Sequence, residues 1–496
     1  MASPLAIFKP ILSFLPEIRS PTTPPGFSER LIWTGAAIFI FFAMYNTLAL
    51  GVDPSITDTT NFLQVVTASR LGSLLTTGIG PIVLASIFLQ LFVGAKIISV
   101  DMQNPEEKML FHGTQKMLAI ILCFFEAFIF VHMSGLPLTD TFGPATEMFV
   151  IAQIALGSLI LLFMDEIVSK YGIGSGISLF IAAGVSLAIV GGSFSLFFGE
   201  NGAFHYFSEG GAQVISHVLT AFMPLVFTVL VFLVIVYVEG IKVEIPLAFG
   251  MARGLARNFP IKFMYVSNIP VILAFALLAN FQFLSLALAG QNLCISGVYN
   301  PDQLNPAYRC EGGIDLINII GRAEGGGEGR TASFIDGFLY LLQPVHMPQG
   351  QSIITEAGVY VARSTPLWGI PEWIHIATYI TFLVILCIVF GSFWVETTGM
   401  GAQDVANQLN AAGLQIPGYR RDPRVVKSLL DKYIPPIVLM GSAFVGLLAG
   451  FADLFGALGT GTGILLTVGI IYRMYQDMEK QNALSQNALL AQFLGK

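Results

Sequence analysis

Along this chain the apolar residues gather in blocks about 20 long, the length an α-helix needs to cross roughly 30 Å of hydrocarbon. Such blocks lie near residues 31–50, 74–98, 115–134, 147–165, 173–193, 217–238, 260–288, 372–395, 433–452 and 455–475. They predict an all-α membrane protein with ten spans, because a barrel would show weak ten-residue alternation instead. Residues 1–30 carry Lys9, Arg19 and Arg30 among scattered prolines and have no sufficient apolar core. No cleavable signal is therefore expected, and the first span serves as its own insertion signal. Within Ala2–Ile18 the residues Leu5, Ile7, Phe8, Ile11, Leu12, Phe14 and Leu15 form a rough helical stripe, which predicts an amphipathic segment lying on the cytosolic surface.

Composition sharpens this picture. Hydrophobic residues make up 54% of the chain and charged residues 11%, and the mean hydropathy is +0.74. A soluble domain carries about 25% charge. The 24 Lys and Arg and the 4 Cys argue against a nucleic-acid-binding module and a disulfide-stapled secreted domain. With the N-terminus in the cytosol, 19 of the 24 basic residues fall on the inside. Four of the other five, Arg309, Arg322, Arg330 and Arg363, sit in one long outer loop that translocates regardless of charge, and the fifth is Arg70. This asymmetry predicts cytosolic N- and C-termini, with residues 476–496 as a cytosolic tail.

Ten spans divide at the 194–216 loop into halves of five, residues 31–193 and 217–475. An odd number per half means that any repeat is inverted in the membrane, and such repeats put the working site at their interface. Each half contains a glycine-rich break. The first holds Gly78-Ile79-Gly80-Pro81, and the second holds Gly456, Gly459, Gly461 and Gly463 around the start of the tenth span. Pro81 removes a helix donor and restricts Gly80, so the mildly apolar stretch NFLQVVTASRLGSLLT at 61–76 is separated from the span that follows. Non-helical backbone at membrane depth survives only when packed in protein or lining a cavity. On pattern alone, 61–76 reads equally well as a re-entrant packing segment or as a functional half-helix.

Several long stretches carry a family resemblance. TASRLGSLLTTGIGPIVLASIFLQLFVGAKII at 67–98, DEIVSKYGIGSGISLFIAAGVS at 165–186, FPIKFMYVSNIPVILAFALLAN at 259–280, FWVETTG at 393–399 and KYIPPIVLMGSAFVGLLAGFADLFGALGTGTGILLTVGIIYRMY at 432–475 closely resemble the SecY family of protein-translocation channel subunits, archaeal type. The likeness runs from KPILSFLPEI at 9–18 to the end of the tenth span. It implies two inverted five-helix halves hinged between the fifth and sixth spans, an hourglass pore, a half-helix plug and a lateral gate. It also implies a cell-membrane location, no catalysis and no cofactor. The implied partners are a SecE-like clamp subunit, a third small single-span subunit, the ribosome, signal sequences and nascent polypeptide, and membrane lipid.

Carried over by position, the apolar pore ring falls on Ile79, Val83, Ile177, Ile181, Ile272 and Leu466. Ile79/Val83 and Ile177/Ile181 are i,i+4 pairs, so each pair shares one helix face. Bulky apolar constrictions resist ions by dewetting. The plug maps to 61–71, including Asn61, Phe62, Leu63, Val65, Val66, Ala68, Arg70 and Leu71, with Arg70 facing a water-filled outer funnel. Glu126 and Asn280 match the polar cluster of the lateral gate, and Leu84 stands where related sequences carry threonine. Glu126 is the only acid in the interior of a predicted span, and a structural hydrogen bond explains it as readily as a gating role. Arg253 and Arg257 in the 239–262 loop, with Arg420, Arg421 and Arg424 in the 396–432 loop, match the ribosome-docking protrusions, although basic cytosolic loops are also what topology demands. Lys242-Val243-Glu244 is less basic than the paired arginines of some relatives.

The rival reading is a secondary transporter, since inverted repeats with broken helices are that architecture too. Coupled carriers usually hold several ionisable residues at midplane, and here Glu126 stands nearly alone. No zinc or nucleotide motif occurs, and the six His lack metal-ligand spacing. GIGSGI at 172–177 reads as close helix packing rather than a phosphate cradle. Cys123 and Cys387 read as packing residues, while Cys294 and Cys310 share the outer loop, where a bridge between them is possible. The long polar insert at 289–371 has no assigned role.

Overall fold

A computed structural model describes the chain outside residues 1–8, 13, 24, 55–66, 95–96, 99, 101–103, 134–135, 140–142, 200–203, 206–213, 250–255, 267–268, 290–293, 296–297, 300–309, 312–313, 325–332, 345–368, 412–413, 416–422, 456, 459–460 and 487–496. After a short α1 (Lys9–Leu12), the first half holds α2 (Phe27–Asn46), α3 (Gly80–Gly94), α4 (Pro105–Phe128), α5 (Thr146–Tyr171) and α6 (Gly176–Phe198). The second half begins with α7 (Val214–Glu239), a hairpin of β1 (Lys242–Phe249) and β2 (Ala256–Lys262), and α8 (Ile269–Ala289). A long insert follows, with β3 (Cys294–Ile295), β4 (Val298–Tyr299), β5 (Cys310–Glu311), β6 (Ile314–Asp315), α9 (Leu316–Ile320), β7 (Arg322–Glu324), β8 (Ser333–Asp336) and α10 (Phe338–Leu341). The chain closes with α11 (Glu372–Thr397), α12 (Ala402–Ala411), β9 (Leu414–Gln415), α13 (Pro423–Leu454) and α14 (Gly461–Gln486).

Ten of these helices have 15 or more residues among the described residues, and they follow the order of the expected spans. Among the described residues, seven segments are long and apolar enough to cross a membrane, while Gly80–Gly94 and Ile269–Leu278 are shorter apolar helices. Local signals mark the helix ends. Asn104 caps α4, its side-chain oxygen accepting from the Glu106 N–H at 3.0 Å, with Pro105 at the first helical position. On α7, Val226, Val229, Leu233 and Val236 face outward while Val231, Ile235 and Val238 are buried, the stripe expected where lipid covers one face. Between α11 and α13, glycines permit close approach. A Cβ on Gly446 would stand 3.0 Å from the Val384 Cα, and one on Gly450 3.1 Å from Ile380.

The main apolar core draws residues from all ten long helices. A second core joins Ile261 and Val266 to α11, α12 and α13 through Val395, Ala406, Leu409, Val426 and Leu430. Strand β1 pairs antiparallel with both β2 and β9, so the 6/7 and 8/9 loops share one three-stranded sheet in the order β2-β1-β9. The N-terminal stretch is strapped across α4 and α5. Leu12 packs at Gly113, the Ile18 N–H donates to Glu166 Oε1 at 3.1 Å, and Lys116 Nζ reaches both Pro16 O (2.6 Å) and Glu166 Oε2 (2.7 Å).

The structure moves two boundaries. Residues 260–262, expected inside the seventh span, end the hairpin strand β2, and the helix starts at Ile269. Val243, Ile245 and Leu247 alternate with Glu244, Pro246 and Ala248, a period of two that favours strand over helix. The helix-compatible stretch 61–76 is turns rather than helix over its described part, 67–76, and 61–66 lies outside the described residues. Gly78 adopts φ +55° there, and a side chain on it would run into the Thr67 carbonyl. The expected glycine break before α3 is present, with the helix beginning at Gly80. Gly456 and Gly459, and the side chains of Cys294 and Cys310, lie outside the described residues. Cys123 and Cys387 are buried free thiols.

Candidate functional site

Four elements carry the six ring candidates, and the structure brings them into one apolar cluster. Ile79, Val83, Ile181 and Leu466 are buried in it, and Ile177 and Ile272 pack against it partly buried. Ile79 sits just before α3, where its N–H donates to Thr67 O at 2.9 Å and its carbonyl accepts from Ile82 and Val83 at 3.1 Å. Ile177 and Ile181 lie in the first turns of α6. That start is pinned to α5 by Asp165, whose Oδ1 accepts from the Ile177 N–H at 2.9 Å. A Cβ on Gly176 would stand 2.5 Å from the Asp165 Cα, so the GIGSGI stretch is a close-packed helix start, as expected. Leu466 is on α14, which packs against α6, and Ile272 is on α8, which packs against α3. Ile181 and Leu466 are fully buried, at 0% exposure.

Thr67–Ile79 forms a stalk above this cluster. It is bound to the loop after α2 by Ala49 N–H to Gly72 O (2.9 Å) and Leu74 N–H to Thr47 O (3.0 Å), and to the last residue of α2 by Arg70 Nη1 to Asn46 Oδ1 (3.1 Å). Against α5, Thr77 Oγ1 and Ser158 Oγ share a hydrogen bond of 2.5 Å, and Ser158 Oγ also lies 3.2 Å from Gly78 O. Gly157 lets the two backbones touch, since a Cβ there would overlap the Leu74 carbonyl oxygen and stand 2.9 Å from its carbon. Ala68 is fully buried at φ +50°, the one non-glycine residue with positive φ among the described residues. Leu71 packs partly buried against a small separate core that includes Ala49, Val52 and Val131. Asn61, Phe62, Leu63, Val65 and Val66 lie outside the described residues.

At the seam between halves, α3 packs against both α8 and α11, and the π-helical continuation of α4, Ile129–Met133, packs against α8. Glu126 is buried over the start of α3, where a Cβ on Gly80 would stand 3.0 Å from its Oε2. Its Oε1 has no hydrogen-bond partner among the described residues. Asn280 is half-buried and its Nδ2 donates to Ala276 O of its own helix at 2.8 Å. Leu84 is buried in the main core. The structure thus encloses Glu126 without joining it to Asn280 by a hydrogen bond.

Of the docking candidates, Arg257 is on β2 opposite Leu247, and Arg424 is exposed in the first turn of α13. Arg253, Arg420 and Arg421 lie outside the described residues. The sheet that unites the two loops escaped the reading of the sequence, although the period-two pattern of 242–249 signals it. Buried polar pairs escaped it as well. Tyr379 OH donates to Asp453 Oδ2 at 2.9 Å between α11 and α13, and His375 Nδ1 lies 2.8 Å from Glu372 Oε1.

These features define a polytopic helical membrane protein with one large apolar core, against which the irregular segment Thr67–Ile79 is packed. The SecY family model matches residues 73–475. The chain is 41% identical over 487 residues to the protein translocase subunit SecY of Methanocaldococcus jannaschii, covering 98% of this chain and 99% of that one. It superposes with a TM-score of 0.73 and 39% identity on a structure of a SecY protein whose plug domain stabilises the closed state of the translocation channel, covering 96% of this chain and 97% of that one. Sec61 in a canine ribosome-channel complex from the endoplasmic reticulum is similar at 0.72 and 40%, with the same coverage. The chain belongs to the SecY family, and its function is that of a protein-conducting channel subunit of the translocase.

Proposed function

We propose that Ile79, Val83, Ile177, Ile181, Ile272 and Leu466 form the seal through which unfolded secretory polypeptide passes, and that 61–71 is the plug above it. The observation that supports this most is the convergence of all six side chains in one enclosed apolar cluster. A dry constriction of aliphatic side chains excludes hydrated ions, yet its flexible walls yield to a moving chain. The halves 31–193 and 217–475, hinged at 194–216, part along the seam between α3/α4 and α8/α11. Glu126, Asn280 and Leu84 line this lateral gate. A signal segment of ten Leu- or Ile-like residues gains on the order of 3–6 kcal/mol by entering lipid, so the channel need only open a path.

The chain is not an enzyme, and the motive force comes from its partners. Arg253, Arg257, Arg420, Arg421 and Arg424 dock ribosomal RNA phosphates on the sheet-linked cytosolic loops, a reading supported by the similarity to Sec61 of a ribosome-channel complex. A SecE-like clamp subunit and a third small subunit of one span complete the assembly. It resides in the cell membrane with both termini in the cytosol.

The gate is tested at Gly94 and Phe393. A Cβ on Gly94 would stand 3.2 Å from the Phe393 Cβ, close to the roughly 3.5–4.5 Å of a disulfide. Oxidising the Gly94→Cys/Phe393→Cys double variant in reconstituted vesicles should halt passage of a signal-bearing precursor, with recovery on reduction. Undiminished passage through the bridged form would remove the lateral gate from the account.

A further inference from the structure

The long insert contains an α9–β7 arm and a β8–α10 arm, joined by antiparallel pairing of Arg322 with Asp336 and Glu324 with Ser333. The arms meet backbone to backbone, because a Cβ on Gly337 would stand 2.7 Å from the Gly321 Cα, and Gly337 holds φ +93°. The first arm packs on α8 through α9. The second packs on α11 through α10, where Phe338 meets the Phe382 ring edge-on at 6.5 Å. Leu339 and Leu342 are buried in the same core as the ring candidates, and Ile320 packs against it. The insert is therefore rooted in the membrane core at two helices, both on one side of the seam.

A polar lock fastens the second arm. Tyr340 OH donates to Glu372 Oε2 at 2.6 Å, and His375 Nδ1 lies 2.8 Å from Glu372 Oε1. His375 Nε2 lies 3.1 Å from Gln343 O. A carbonyl only accepts, so His375 Nε2 is the donor of that bond. The Tyr340 ring lies over the imidazole with centroids 4.3 Å apart. Glu372 and His375 are 4% and 3% exposed, so these bonds form out of water, where losing one is most costly.

We propose that the long insert is a clasp that makes α8 and α11 move as one body when the gate opens, and that Tyr340, Glu372 and His375 are its positioning residues. The clasp directs opening to the seam rather than to the α8–α11 contact, so a segment must be apolar enough to part the seam before it passes. This inference rests on the lateral-gate reading above.

The test uses the full-length chain with its co-purified subunits, as His375→Ala and as the milder Tyr340→Phe, which keeps the ring. Amide exchange of 339–343 should accelerate by about tenfold or more in His375→Ala, against unchanged amides in α5, and by less in Tyr340→Phe. In vesicles, passage of a signal-less precursor should rise relative to a signal-bearing one in both variants. A general loss of structure would lower both precursors together. Unchanged exchange in both variants overturns the clasp, and so does faster exchange with an unaltered precursor ratio. If the bridged Gly94→Cys/Phe393→Cys chain still passes precursor, the gate reading fails, whatever the exchange data show for the clasp.

Discussion

Replacing Gly157 with alanine tests how the stalk is held. The added methyl would overlap the Leu74 carbonyl oxygen and stand 2.9 Å from its carbon, and both are backbone atoms that no rotamer change can move aside. Overpacking of this kind costs about 1–3 kcal/mol. Pushing the stalk from α5 also separates the buried Thr77–Ser158 pair and the Ser158 contact to Gly78 O, at about 0.5–1.5 kcal/mol each. The total of about 2–6 kcal/mol lowers the docked-to-undocked ratio of the stalk by at least about thirtyfold. Because the Ile79 N–H is bonded to Thr67 O, the ring shifts with the stalk. Vesicles containing the Gly157→Ala complex should leak halide at rest while still passing precursor, and amides of 73–80 should exchange faster. Parental leak together with parental exchange would refute the seat on α5.

Three other outcomes are expected. Tyr379→Phe removes a buried donor from Asp453 and should destabilise the complex by about 1–3 kcal/mol, visible as a lower thermal midpoint in mild detergent; an unchanged midpoint would make that bond dispensable. Arg420→Glu with Arg421→Glu should weaken ribosome binding and reduce the steepness of its salt dependence by about two phosphate contacts; an unaltered slope would leave both arginines as topology signals. Cross-linking at the seam, described above, should stop passage reversibly.

The spans are legible because the bilayer imposes a length and a polarity on every crossing helix, and the blocks of apolar residues match the observed helices in order. The ring is less so. Any of the many isoleucines satisfies the same composition, and only the family resemblance selected Ile79, Val83, Ile177, Ile181, Ile272 and Leu466. The 61–76 stretch looked helical because its residues tolerate a helix, but the described part is held as turns by bonds to α2 and α5, partners far away in sequence. The β2-β1-β9 sheet shows half its signal locally, in the alternation of 242–249, and the other half comes from Leu414 and Gln415, far along the chain. Asp453 and Glu372 lie at the edges of apolar blocks. Their burial against Tyr379 and His375 depends on packing between helices, which periodicity does not report.

Ion conductance of the resting complex tests the apolar seal most directly. Ile181→Ser, at a position with 0% exposure, places a hydroxyl in the proposed seal without removing any stalk hydrogen bond. Vesicles carrying it should conduct small ions steadily in the absence of precursor, where the parent stays closed. A conductance equal to the parent's would mean that the seal lies elsewhere in the chain.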